Sequence, residues 1–424
     1  MSSNKINRIN KFLFIIATLL AISIIICSIV YCYQKYNEEK SIIQKLNSID
    51  IDEIRKKREQ YLKTPNGGIN ENYFVDLDEQ EKVDISEMKQ EDIDESIQWI
   101  SIYGENRDNP VLLYLHGGPC SATSYYDWGV LRKLSDVYTV VIWDQRGCGH
   151  SYHENLQFQE VSPLTKDVMM QDGIAMTNYL CDCLHKEKIT LFGHSWGSIF
   201  AANLVLEHPE KYDKLIVASL VVDEIESRHY LKDYLLTLDK VKNNEEYLTL
   251  VESFNPNDLK DDPLDDNDSQ LERLTQVLED CCKYPDSNEK MDDWLLLNPY
   301  ITLEQSKMLH DRYLKNQIEK PEKNIDYTYI NGCEYEEYIK RLGAKSDEME
   351  QDMSIDEECK YEVPFYLLEG EKDRNPDTMY SFACDYYERI EAPEKGFFKF
   401  EGGHSSPMIQ ADELSEYMHE IARK

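Results

Sequence analysis

Basic residues are scarce in this sequence: 46 Lys and Arg stand against 81 Asp and Glu over 424 residues, a formal net charge of −35. A chain this acidic repels phosphates, which excludes nucleic acid as a partner. The imbalance fits a solvated surface, and it also fits a site that attracts cationic substrates. Metal-site spacing is missing as well. No HExxH is present, and the pairs Cys181/Cys183 and Cys281/Cys282 lack Cys or His partners at zinc spacing. The cysteines read as small apolar side chains, with a disulfide among them left open. No Gly-rich phosphate loop is followed by its lysine, and no internal repeat occurs. Neither metal nor cofactor is implied.

Charge is absent altogether from Phe12 to Gln34 (FLFIIATLLAISIIICSIVYCYQ). A helix needs roughly twenty such residues to cross a bilayer. Lys5, Arg8 and Lys11 precede the run, and the flank after it (KYNEEK) is mixed. The positive-inside bias therefore puts residues 1–11 in the cytoplasm. Residues 12–34 then form a single-pass transmembrane anchor, with the bilayer as partner and the rest on the extracytoplasmic side. A cleaved signal peptide is the rival, but its apolar core would be shorter, and no small-x-small cleavage site stands out. Residues 35–70 read as a charged, helix-prone stalk closed by the turn Pro65–Gly68.

Further along, strand-like runs alternate with helix-like ones. NYFVDL, SIQWISIYG, VLLYLH, YTVVIWD, KITLFGH and DKLIVASLVV read as strands. TKDVMMQDGIAMTNYLCDCLHK and WGSIFAANLVLEH read as helices. Continuous apolar strands between helices mean an α/β fold with a mostly parallel sheet covered on both faces. The alternation stops over residues 223–359, a polar, acidic, mainly helical insertion. It resumes with YEVPFYLLEGEKD, a helix, the strand GFFKFEG and a last helix. The expected organisation is a core of residues 71–222 and 360–424 interrupted by a helical cap.

The chemistry concentrates in four places. Gly193-His194-Ser195-Trp196-Gly197 is G-x-S-x-G after a strand and before a helix, the context of a nucleophile elbow. Ser195 is the candidate nucleophile, close to a helix N-terminus that favours developing negative charge. A serine needs a base, and His404 follows the last strand. His194 lies inside the elbow with its side chain expected elsewhere, and His116 reads as a loop brace. Asp373, at the end of VPFYLLEG, is the candidate orienting carboxylate; Glu369, Glu371, Asp377 and Asp223 are rivals. The oxyanion donors are the N–H of Trp196 and that of Gly118 in His116-Gly117-Gly118-Pro119, with Gly117 second.

Together HGGPC, WDQRGCGHS, GHSWGS, LLEGEKD and GGHSS resemble the prolyl iminopeptidase family of α/β-hydrolases, over about Pro110 to Leu206 and Tyr361 to the C-terminus. The resemblance implies an α/β-hydrolase fold with a helical cap. It also implies release of an N-terminal residue, often proline, from short peptides through an acyl-enzyme. Ser195, Asp373 and His404 match the family's triad, and Gly118 and Trp196 its oxyanion hole. Gln145 and Arg146 match a loop that props the site and read as structural supports. Cys120 replaces the usual last glycine of HGGPG. The family's amine-binding carboxylates come from the cap, where Glu224 and Glu226 are two of many candidates. An esterase or amidase on the same scaffold, acting on small acyl substrates, is the alternative, and a non-catalytic module with a vestigial site is a third reading.

Overall fold

The computed structural model describes residues 47–78, 80–83, 96–119, 122–151, 165–257, 270–282 and 352–424, with scattered residues in 28–44 and at 296, 303, 306 and 307. Of the apolar run 12–34, only residues 28 and 30–34 fall within the described residues. Among the described residues no helix is long and apolar enough to cross a membrane.

Nine strands form one sheet: β1 (Ile69–Asp76), β2 (Glu81–Val83), β3 (Ile97–Gly104), β4 (Val111–Leu115), β5 (Thr139–Asp144), β6 (Ile189–His194), β7 (Tyr212–Ala218), β8 (Phe365–Gly370) and β9 (Lys395–Phe400). Their order is β2-β1-β3-β5-β4-β6-β7-β8-β9. From β5 onward every pairing is parallel. The first strands are not: β1 pairs antiparallel with β2 and β3, and β3 with β5. Between β1 and β2 only four residues intervene, which leave no room for a helical crossover. The short strand β2 and the helix Ser124–Leu131 were not anticipated from the sequence.

Side chains alternate across the sheet with period two. Leu113, Val141, Leu191, Val217 and Leu367 join one buried cluster. Leu112, Ile142, Phe192, Ile216 and Leu368 join the other. The helices Lys166–Leu184, Trp196–Glu207 and Tyr380–Arg389 cover the first face, while Ser124–Leu131 and Ala411–Ala422 cover the second. Both faces are thus dry, which explains why the central strands read as unbroken apolar runs.

The helix Ile51–Tyr61, capped by Asp50 accepting from the N–H groups of Asp52 and Glu53, packs on the domain. Its Tyr61 ring meets Trp128 edge-on at 4.9 Å, and the Arg132 guanidinium lies 4.0 Å above that ring. β1 begins at Ile69, two residues before the expected start of the core at 71. Between β7 and β8 the described elements are helices: Glu224–Thr237, Asp239–Lys242, Glu245–Ser253 and Gln270–Cys281.

The chain passes from β4 to β5 on one side and to β6 on the other. That reversal opens a crevice at the carboxyl ends of β4 and β6, where α/β sheets place their ligands. HGGP follows β4 and the elbow follows β6.

Candidate active site

β6 ends at His194, and the next helix begins at Trp196. Between them Ser195 has φ 54° and ψ −130°, a region sparsely populated by residues with a Cβ. The flanking glycines make this turn possible. A Cβ at Gly193 would lie 2.1 Å from the Gly197 carbonyl oxygen, and one at Gly197 would lie 2.1 Å from that of Leu115. Two bonds hold the turn: the Ser195 N–H donates to Ala218 O at 2.9 Å, and Ser198 Oγ donates to Ser195 O at 2.5 Å.

The loop after β4 lies against this serine, since a Cβ at Gly117 would meet Ser195 Cβ at 3.0 Å. Gly118 has φ 119°, which side chains rarely allow. Gly118, Ser195 and Trp196 line one pocket together with Ile199, Val221, Glu224 and Asp377. Two backbone donors, a hydroxyl, an apolar wall and two carboxylates therefore share a single concavity. Cys120 lies outside the described residues.

Asp373 is fully buried at the end of β8. Its Oδ1 accepts from the Asn375 N–H at 3.0 Å, and its Oδ2 stands 3.1 Å from His404 Nδ1. Thr378 completes the cluster: its hydroxyl donates to Asp373 Oδ2 at 3.0 Å and lies 2.9 Å from His404 Nδ1. Sequence reasoning missed Thr378, and no motif singles it out. Thr378→Val is expected to lower kcat about tenfold by removing a hydrogen bond to a charged group; an unchanged kcat would show that Asp373 alone orients the imidazole.

The rival carboxylates have other tasks. Glu369 is fully buried, and its Oε1 accepts from the Leu220 N–H at 2.6 Å. Burial, then the charge of Asp373, raises its pKa well above 4.5, which favours its neutral form. Asp223 caps the helix Glu224–Thr237, accepting from the Glu226 N–H at 2.8 Å. Glu371 is exposed. Asp377 faces the pocket, not the histidine's far side.

His194 sits 5.2 Å from His404 between ring centroids. Desolvation and that neighbour push its pKa down to about 3, which leaves it uncharged at working pH. His116 is buried, and burial lowers its pKa. Its Nδ1 lies 2.9 Å from Gly117 O, and its Nε2 accepts from the Gln145 N–H at 3.3 Å. This network fixes the tautomer and ties the HGGP loop to the loop after β5. Gln145 Nε2 also reaches His116 O at 3.5 Å. Arg146 forks onto Asp172, with Nε at 2.6 Å from Oδ2 and a terminal nitrogen at 2.7 Å from Oδ1. Asp172 also accepts from Gln98 Nε2 at 2.8 Å. Gln145 thus ties to the loop after β4, and Arg146 to the helix Lys166–Leu184.

The residues can perform acyl transfer: a strained serine, backbone donors beside it, and an imidazole held by a buried carboxylate. Comparisons with known proteins point to the α/β-hydrolase fold. A family model described as alpha/beta hydrolase fold matches residues 110–246. A probable aminopeptidase, YbaC, of Bacillus subtilis (strain 168) is 25% identical over 79% of this chain and 95% of its own length. A putative proline iminopeptidase of Mycoplasma pneumoniae is 33% identical over 33% of this chain and 41% of its own. A proline iminopeptidase of Lactobacillus helveticus (strain DPC 4571) is 32% identical over 28% of this chain and 38% of its own. The last two alignments cover less than half of those relatives. The chain has the α/β-hydrolase fold.

Proposed function

We propose that this α/β hydrolase is a serine peptidase of the prolyl iminopeptidase type, releasing an N-terminal residue from short peptides. The observation that carries the reading is the pocket itself, where Glu224 and Asp377 stand with Ser195, Gly118 and Trp196. Two carboxylates beside a nucleophile suit a substrate whose scissile carbonyl adjoins a free ammonium group. Glu224 is held by Arg228, one helical turn on, which fixes its direction.

Ser195 attacks the carbonyl while His404 takes its proton. The N–H groups of Gly118 and Trp196 receive the oxyanion. Asp373 and Thr378 keep the imidazole oriented and stabilise its charge. His404 then gives the proton to the leaving amine, and a water molecule releases the N-terminal residue by the same steps. Ile199 and Val221 supply an apolar wall for its side chain.

The charge-free run 12–34 is proposed to anchor the enzyme in a bilayer, with the hydrolase core on the extracytoplasmic side. Tyr31 and Tyr33 at its end and Tyr36 just after it are 65%, 66% and 61% exposed. Tyrosines favour the membrane interface.

The test compares aminoacyl arylamides of proline and alanine, each free and N-acetylated, with short-chain nitrophenyl esters. Ser195-dependent turnover confined to free amines supports the peptidase. Turnover of esters and acetylated substrates alone would leave the esterase. Within the peptidase reading, Glu224→Gln and Asp377→Asn are each expected to raise KM for free amines about tenfold to a hundredfold, as loss of a charged hydrogen bond requires. An unchanged KM in both variants would remove the amine-binding role.

A further inference from the structure

The strand β7 ends one residue before an irregularity. Ser219 has φ 49°, unusual for a residue with a side chain. The stretch Ala218–Val221 around it is bonded to the elbow, to β8 and to the loop that carries His404. Ala218 O accepts from the Ser195 N–H at 2.9 Å, and the Val221 N–H donates to Ser198 Oγ at 3.0 Å. Both ends therefore hold the elbow. In between, the Ser219 N–H donates to Leu368 O at 3.0 Å, and the Leu220 N–H to Glu369 Oε1 at 2.6 Å, both on the strand that leads to Asp373. Ser219 Oγ donates to the backbone oxygen of His404 at 2.6 Å.

We propose that Ala218–Val221 is the device that sets His404 against Ser195, with Ser219 as its positioning residue. His404 needs such a tie because it follows Gly402 (φ 137°) and Gly403, a pair with little conformational preference of its own. The left-handed φ aims the Ser219 hydroxyl across the top of the sheet instead of into its face. The inference rests on the reading of Ser195 as nucleophile and His404 as base.

The test is the rate at which a fluorophosphonate labels the full chain, followed against pH, because labelling needs the nucleophile and base but no particular substrate. Ser219→Gly accepts φ 49° without strain and lacks the hydroxyl; Ser219→Ala lacks it too. Both are expected to label about tenfold more slowly near neutral pH, the loss of one strong hydrogen bond. Both are also expected to shift the acid limb to lower pH, since an imidazole less well held against Asp373 is less stabilised when charged. The groups facing that imidazole are Asp373 and Thr378 from the loop after β8 and His194 from β6, with Glu369 behind Asp373. A wild type that does not label defeats the nucleophile reading and the inference together. A wild type that labels, with both variants matching its rate and acid limb, overturns the inference alone. A slow Ser219→Ala beside a normal Ser219→Gly would do the same, by assigning the effect to backbone strain.

Discussion

Ser195→Ala is expected to lower kcat/KM by about 10⁴-fold or more and to abolish fluorophosphonate labelling. The size follows from the geometry. Removing Oγ leaves the backbone donors of Gly118 and Trp196 in place, so residual turnover above the uncatalysed rate remains. His404→Ala should cost about as much, because an un-ionised serine is a poor nucleophile without its base. Combining the two should add little, since each removal disables the same unit. Asp373→Asn belongs to this series with a loss on the order of 10⁴-fold, the imidazole being turned to the wrong tautomer. Turnover of Ser195→Ala within tenfold of wild type would transfer the chemistry to another group and end the acyl-enzyme reading.

Much of this site can be read from sequence because its constraints are local. The elbow needs glycines two residues either side of the serine, and the 2.1 Å approaches at Gly193 and Gly197 explain why. A strand before and a helix after are visible as apolar runs, and the observed β6 (Ile189–His194) and Trp196–Glu207 fall within a residue or so of the expected bounds. Asp373 and His404 were reachable because each follows a strand that can be recognised by its alternation.

What escaped is what depends on contacts distant in sequence. Thr378 reaches His404 from 26 residues away, and nothing in its surroundings marks it. Glu369 rivals Asp373 in the string LLEGEKD and both are fully buried; what separates them is the partner each meets, His404 Nδ1 at Asp373 and the Leu220 N–H at Glu369. Glu224 was one acidic residue among many until the first cap helix brought it beside Asp377, a residue weighed earlier for a different task. The strand β3, antiparallel to β1 and β5, is buried along its length like the parallel strands, so its apolar pattern does not reveal its direction. The docking of Ile51–Tyr61 runs through Tyr61, which meets Trp128, Arg132 and Asn70, partners that a charged, helix-prone segment does not name.

The fully buried carboxyls make folding stability fall as pH rises, and Glu369→Gln is expected to flatten that fall. Two of the fully buried carboxyls among the described residues have raised pKa values. Glu369 lies behind Asp373, and Asp127 takes the Thr123 hydroxyl behind the HGGP loop. Desolvation raises both pKa values well above their ordinary 4.5 and 3.8, and neighbouring Asp373 and Asp144 add to the rise. A carboxyl with a raised folded pKa contributes its full stability below the unfolded value and loses it as pH climbs through the folded one. In between, the unfolded chain releases a proton that the native state keeps. Each group then subtracts about 1.4 kcal/mol per pH unit, a large fraction of a typical domain's 5–15 kcal/mol within three units. His419 acts in the same direction but at higher pH, because its contact with Asp136 raises it from 6.5. The interval from pH 4.5 to 6.5 leaves His419 out, while the depressed His194 and His116 act there in the opposite sense. General charge repulsion in a chain of net −35 also grows there, so the informative quantity is the difference between variants. Urea midpoints of wild type, Glu369→Gln and Asp127→Asn across this interval should diverge steadily with pH, each amide variant gaining on wild type by about 1.4 kcal/mol per unit. Parallel curves would mean that the carboxyl in question is ionised in the folded protein, and for Glu369 that would place a second negative charge beside Asp373.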